Sequence, residues 1–193
     1  GGVTAVNEWR ARTTYGNSPT YNFAWWQRHL RDEEKEDDNF TGGNPGTASG
    51  FYFAQGDIST TGNWNIPAGK QIVVLVNGDF NINHTIKVNK NNGFLMVVAK
   101  ETINIKSSLG GNEPNPAIQG IFMADTIDTG SGNVHLYAEG SFIGWNDIVL
   151  QRNIGGVDSS LEPSMTFTYR PDFVLNAPNF IKKIFYNWQR VPG

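Results

Sequence analysis

The chain contains no cysteine and little charge, and each shortage removes a class of chemistry. Without thiols there is no disulfide framework, no thiolate metal centre and no cysteine nucleophile. Charged residues make up 17% of the 193 residues, against roughly 25% in an ordinary globular domain. The net charge of −3 and pI near 5.6 give no general attraction to phosphate backbones or anionic bilayers, so no nucleic-acid partner is expected. Long apolar runs are also missing. The longest, such as Ile72–Val76 and Phe94–Ala99, have the length of a strand and fall far short of the ~20 residues a spanning helix needs, so no direct membrane insertion of this segment is expected. The opening Gly1-Gly2 reads as a remnant of processing, compatible with a removed targeting segment.

What is abundant is glycine and asparagine, 22 of each, a bias toward tight turns. Residues 1–50 form a distinct N-terminal part. Aromatic residues cluster in Tyr21-Asn22-Phe23-Ala24-Trp25-Trp26, a charged run follows from Arg28 to Asp38, and the pattern predicts a short helix over 22–36 with the charges on its solvated face. Asn39 to Gly50, rich in Gly, Asn and Pro, reads as a linker.

From Phe51 the chain becomes a series of short β-branched and aromatic runs separated by Gly and Asn. Five segments share one shape: Ala54–Ile58, Val76–Phe80, Ala99–Ile103, Met123–Ile127 and Ala138–Phe142. Each begins and ends on an apolar residue and carries a short polar residue fourth (Asp57, Asp79, Thr102, Thr126, Ser141). The first four recur every 22–24 residues. That period suits a coil of two or three short strands stacked at the ~4.8 Å strand spacing, an all-β solenoid over 51–156. The last interval, 15 residues, is too short for a full coil and suggests a closing hairpin. Period-two alternation points Phe80, Ile82, Ile86, Val88, Ile103 and Ile105 inward, with Val73, Leu75, Leu95, Val97 and Ala99 supplying further inward faces. Asn81, Asn83 and Asn104 face outward or sit at corners. Residues 157–193 lose the repeat and turn aromatic, with four prolines and a second helical pattern over 178–187. A solenoid exposes apolar core at each end, and this segment reads as a cap.

The segments V-N-G-D-F-N-I, A-K-E-T-I-N-I and A-E-G-S-F-I-G give 51–156 a resemblance to right-handed β-helix proteins, among them the polymer-forming bactofilin-like domains. The stretch from A-I-Q-G-I-F-M-A-D through L-Q-R-N-I-G-G to Y-R-P-D-F-V-L-N-A-P is similar to the C-terminal part of uncharacterised envelope proteins of uncultivated bacteria. The resemblance implies a right-handed coil and a structural role, and brings no known activity. Bactofilin coils are shorter and more regular with open ends, whereas this chain carries cap-like segments at both ends, so polymerisation is not carried over.

Candidate chemistry is sparse. His29, His84 and His135 lie apart without metal-ligand spacing. Asp57 and Asp79 are the most suggestive pair. Equivalent positions on successive coils would set them about 5 Å apart, as in a retaining glycosidase or a calcium site; Gly-Asp at a strand start is first a turn signal, in which Asp bonds its own backbone. Trp64 and Trp145, near Asn and Asp in loops or strand edges, are candidates for stacking on sugar rings or for packing beneath a loop. No P-loop, G-x-G-x-x-G or G-x-S-x-G occurs, so no cofactor is expected. The long repeat surface, the missing catalytic and cofactor motifs and the capped ends lead us to expect a non-catalytic structural or interaction module; the resemblance implies an extracellular or cell-envelope setting, with other envelope proteins, surface glycans or further copies of the chain as expected partners. The alternatives are a carbohydrate-binding adhesin and a carbohydrate-active β-helix enzyme using Asp57 and Asp79, or Lys100 and Arg152 as bases.

Overall fold

The computed structural model describes residues 9–10, 21–155 and 163–182. These form a parallel β-solenoid of about five turns, 45% strand and 8% helix. Each turn contributes strands to three stacks. The first stack holds β2 (Lys35–Asp37), β3 (Gly50–Ala54), β6 (Gln71–Val76) and β9 (Phe94–Ala99), then passes into the long strands β11 (Ile118–Asp128) and β12 (Leu136–Leu150). The second holds β4 (Ile58–Ser59), β7 (Phe80–Ile82), β10 (Thr102–Ile105) and the far halves of β11 and β12. In the third, β5 (Trp64–Ile66) and β8 (Ile86–Val88) are followed by the near ends of β11 and β12 and by β13 (Met165–Thr168). The five coils thus run over 50–66, 71–88, 94–119, 121–139 and 141–168.

The repeat is set by what must stack. Ile58, Phe80, Ile103 and Ile127 lie directly beneath one another, in the predicted register. The fifth member is Ile148, opposite Ile127, and not Phe142. The expected closing hairpin is therefore replaced by one more parallel coil, with Ala138–Phe142 paired to Ile118–Phe122. The spacing misleads because a corner disappears. In coils 1 and 2 the residues 67–70 and 89–93 turn the chain from the third stack into the first, whereas β11 and β12 run through both stacks without a break. Gly120 and Gly140 sit at that bend with φ of 151° and 132°, and a Cβ on Gly140 would lie 1.8 Å from the Gly120 carbonyl oxygen. Only a residue without a side chain lets the two backbones approach this closely.

At β6 and β9 the first stack is buried on both faces, which is why these strands read as continuous apolar runs, I-V-V-L-V and F-L-M-V-V-A. Continuous runs hide the parity of the pleat. Val73 and Leu75 stand opposite Met96 and Val98, while Leu95 and Val97 stand opposite Ile72 and Val74, so the residues predicted inward on these two strands belong to opposite faces. The row of Val74, Val97 and Phe122 is fully buried throughout and forms the solenoid interior. The row of Val73, Met96 and Ile121 faces outward; it is buried on β6 and β9 and half-buried on β11. α1 (Phe23–His29) and α2 (Asp172–Asn176) pack against β9 and build a second apolar layer there.

The predicted helix over 22–36 ends early, at His29. Asn22 caps its start by accepting the Trp25 N–H, and Phe23, Trp26 and Leu30 bury its apolar face. Beyond Leu30 the run Asp32-Glu33-Glu34 would place acidic side chains at a helix C-terminus, where the macrodipole disfavours them. The chain instead turns and forms β2, whose three residues Lys35, Glu36 and Asp37 are all exposed. They cover the N-terminal edge of the first stack with charge, a standard defence of an open strand edge. The predicted linker 39–50 is packed as well. Phe40 is buried 5.8 Å from the Trp64 ring and 5.3 Å from Tyr52, and the Tyr52 hydroxyl donates to the carbonyls of Pro45 and Ala48.

At the other end, β1 (Trp9–Arg10) pairs antiparallel with Val149 and Leu150 of β12, and β13 pairs with residues 136–139 of the same strand. The C-terminal helix lies at 172–176; residues 178–182 form turns, and the remainder of the predicted 178–187 helix falls outside the described residues.

Candidate functional site

Asp57 and Asp79 occupy equivalent corners of successive coils, and their carboxylates are engaged between coils. Asp57 Oδ1 accepts the backbone N–H of Asp79 at 2.8 Å, and Asp79 Oδ1 accepts that of Thr102 at 2.8 Å. Gly78 makes this possible, because a Cβ there would lie 2.2 Å from Asp57 Oδ1. The Gly-Asp signal is thus an inter-coil link and not the local turn bond expected from sequence. Beside it runs a ladder in which Asn104 Nδ2 donates to Asn81 Oδ1 and Asn81 Nδ2 donates to the Ile58 carbonyl. A shallow hollow lined by Asn39, Phe40, Gln55, Asp57, Ser59 and Thr61 takes in Asp57. Among the described residues no three His, Asp or Glu side chains are placed to hold a metal ion.

Trp64 is fully buried, with its indole N–H donating to the Gly42 carbonyl at 3.1 Å and its ring 5.4 Å from Phe80. It belongs to the core and offers no face to a sugar. Trp145 lies at the corner of coil 5, half-buried against the core. Of the base candidates, Lys100 is exposed at a corner. Arg152 is buried in a cage of carbonyls, donating to Thr129, Leu109, Val134 and Lys106 at 2.6–3.1 Å. Burial pulls its pKa below the ordinary arginine value. Its guanidinium ties together the long loops of coils 3, 4 and 5, which excludes it as a base on a groove. The histidines are dispersed: His29 stacks on Trp25 at 4.6 Å, His84 bonds Thr60, and His135 lies between the Gly111 carbonyl and the Thr166 hydroxyl.

The structure also gathers a polar constellation that the sequence motifs do not single out. It lies on the outer side of the third stack, around Glu139. This carboxylate, 4% exposed, accepts from Gln119 Nε2 at 2.6 Å and from the Tyr137 hydroxyl at 3.0 Å. Arg170 and Lys90 stand 3.8 and 3.7 Å away. Arg170 is equally buried; it donates to the Val88 carbonyl, forms a bidentate pair with Asp172 and covers the Phe173 ring at 4.3 Å. The hydrogen bond from Arg170 holds the Asp172 carboxyl below the usual aspartate value, against the opposing effect of burial. Lys87, bonded to the Pro116 carbonyl, is pulled below the usual lysine value by burial, partly offset by Glu139. A buried carboxylate needs such partners. With all of them in place Glu139 anchors the C-terminal segment and presents no lone pair to an open cleft. The available signal is the outward parity of Tyr137 and Glu139 on one strand and the R-P-D-F sequence at 170–173. Their pairing, distant along the chain, has no local signature.

Comparison with family models, curated proteins and solved structures finds no match for this chain.

Proposed function

We propose that the protein is a non-catalytic structural or interaction module of the cell surface or envelope, presenting a rigid β-solenoid to other envelope proteins, to glycans or to further copies of itself. The observation that carries this reading is the engagement of Asp57, Asp79 and Arg152 within the stack, with Lys100 left exposed at a corner apart from them. Asp57 and Asp79 link coils, Arg152 is caged by carbonyls, and Glu139 is buried under Gln119, Tyr137, Arg170 and Lys90. An acid–base pair needs two groups reaching one substrate position from an open cleft, and the hydrogen bonds that Asp57, Asp79 and Arg152 make within the stack favour a structural role for them. The outer face of the second stack, with its polar rows of Ser59, Asn81, Asn104 and Asp128, suits recognition by hydrogen bonding. The surface setting rests on the resemblance to envelope proteins.

The test is incubation of the purified protein with pectin, alginate and related polymers, scored for chain shortening, alongside sedimentation with the same polymers and with envelope fractions. Retention without shortening is expected. Shortening that disappears in Asp57→Asn/Asp79→Asn would replace this reading by the carbohydrate-active enzyme.

A further inference from the structure

Coils of a solenoid touch only their neighbours, so such stacks fray from their ends and unfold in stages. This chain departs from that rule. After β13 the chain leaves the last coil and runs back along the outside of the stack, and its contacts skip coils. Arg170 alone reaches the Val88 carbonyl in coil 2 at 3.0 Å and Glu139 in coil 4 at 3.8 Å. Phe173, 1% exposed, meets Phe94 of coil 3 edge-on at 6.2 Å. The Asn176 carbonyl accepts from Gln71 of coil 2, and its side chain donates to the Gly93 carbonyl. The described N-terminal elements also touch separate coils, with β1 on coil 5, α1 on coil 3 and β2 against coil 1.

We infer that the segment 169–176 is a strap, latched by Arg170 in the slot formed by Val88, Glu139 and Asp172, which couples coils 2, 3 and 4 so that the stack opens as a single cooperative unit. The latch is a fitting choice of chemistry. A guanidinium can bond a carbonyl on one coil while facing a carboxylate on another, and its burial makes the contact specific to one position of the strap. Phe173 then closes the outer apolar layer over Phe94, so release of the strap uncovers apolar surface on the side of the first stack. The strap acts on stability alone, and it does so whether or not the protein is a surface module.

Native-state hydrogen exchange read by mass spectrometry tests it. In the parent protein, the buried amides of β6, β8, β9 and β11 are expected to exchange through one opening with a common denaturant dependence. In Arg170→Met/Glu139→Gln/Asp172→Asn, which removes the latch together with both carboxylates that face it, β6 and β8 are expected to exchange about tenfold or more faster relative to β11, the signature of a sub-global opening. Phe173→Ala provides a second release that leaves every charge in place, and should produce the same split together with increased binding of an apolar dye. An equal acceleration of all four strands in both variants would reduce the strap to an ordinary stabilising contact and overturn the inference. Staggered exchange already present in the parent would do the same.

Discussion

Asp57 Oδ1 accepts the backbone N–H of Asp79 at 2.8 Å, one coil further along the chain, and Asp79 repeats the contact with Thr102. The contact needs an acceptor oxygen at that place, and Asn supplies one as well as Asp. Asp57→Asn and Asp79→Asn are therefore expected to change stability by less than about 0.5 kcal/mol, while the corresponding Ala variants should lose about 1 kcal/mol each in urea unfolding. Melting temperatures with calcium and with chelator should coincide in the parent. A calcium-dependent rise that vanishes in the double Asn variant would turn the link into an ion site.

The register makes a sharper claim about the interior. Phe80 and Ile103 are opposed and fully buried, and the neighbouring Asn81 points outward into the ladder. Phe80→Ala and Ile103→Ala should each cost about 2–5 kcal/mol through lost burial and the cavity left behind. Asn81→Ala, which removes only half-exposed hydrogen bonds, should cost about 1 kcal/mol. Chemical denaturation checks both, and comparable losses at the two kinds of position would contradict the register.

The fold is legible in the sequence where its strands alternate. In the second stack Phe80, Ile82, Ile103 and Ile105 can be assigned inward from period alone, and they are buried. In the first stack β6 and β9 are covered on both faces, so alternation vanishes there, and Val73 and Leu75 group by sequence with Leu95 and Val97 although they lie on opposite sides. The missing corner at Gly120 and Gly140 breaks the count of the repeat and suggests a hairpin that does not form. The polar constellation is hidden for another reason. Glu139 and Arg170 meet only because the chain returns along the outside of the stack, and no local pattern encodes that return.

The bend at Gly140 is itself open to test. Its φ of 132° is one that side chains rarely adopt, and a Cβ would clash with the Gly120 carbonyl at 1.8 Å. Gly140→Ala should lose about 3 kcal/mol or more, since backbone strain and displacement of a paired strand act together. Gly56→Ala, where a Cβ would find nothing within 4 Å, should stay within about 0.5 kcal/mol of the parent. Thermal unfolding of the pair separates a special backbone position from a general intolerance of methyl groups.

The strap also makes stability depend on pH in a defined direction. Asp172 has its carboxyl held below the usual aspartate value chiefly by the hydrogen bond from Arg170, with burial opposing and the Arg170 and Lys90 charges assisting. A carboxylate whose folded pKa is depressed contributes stability that is fully present above its unfolded value and is lost as pH falls through the folded one. Below that point the folded and unfolded states bind the same proton and the contribution is gone. Asp172→Asn removes the titration while keeping an acceptor for Arg170. The parent should accordingly melt higher than the variant near neutral pH, and the gap should close as the pH is lowered through the acid range below about 4. Other carboxylates titrate in the same window, but they are shared by the two proteins and cancel in the difference. Melting curves at several pH values between neutrality and the acid limit give the measurement. A gap that stays constant, or widens toward acid, would mean that the Arg170–Asp172 contact does not favour the ionised carboxylate in solution.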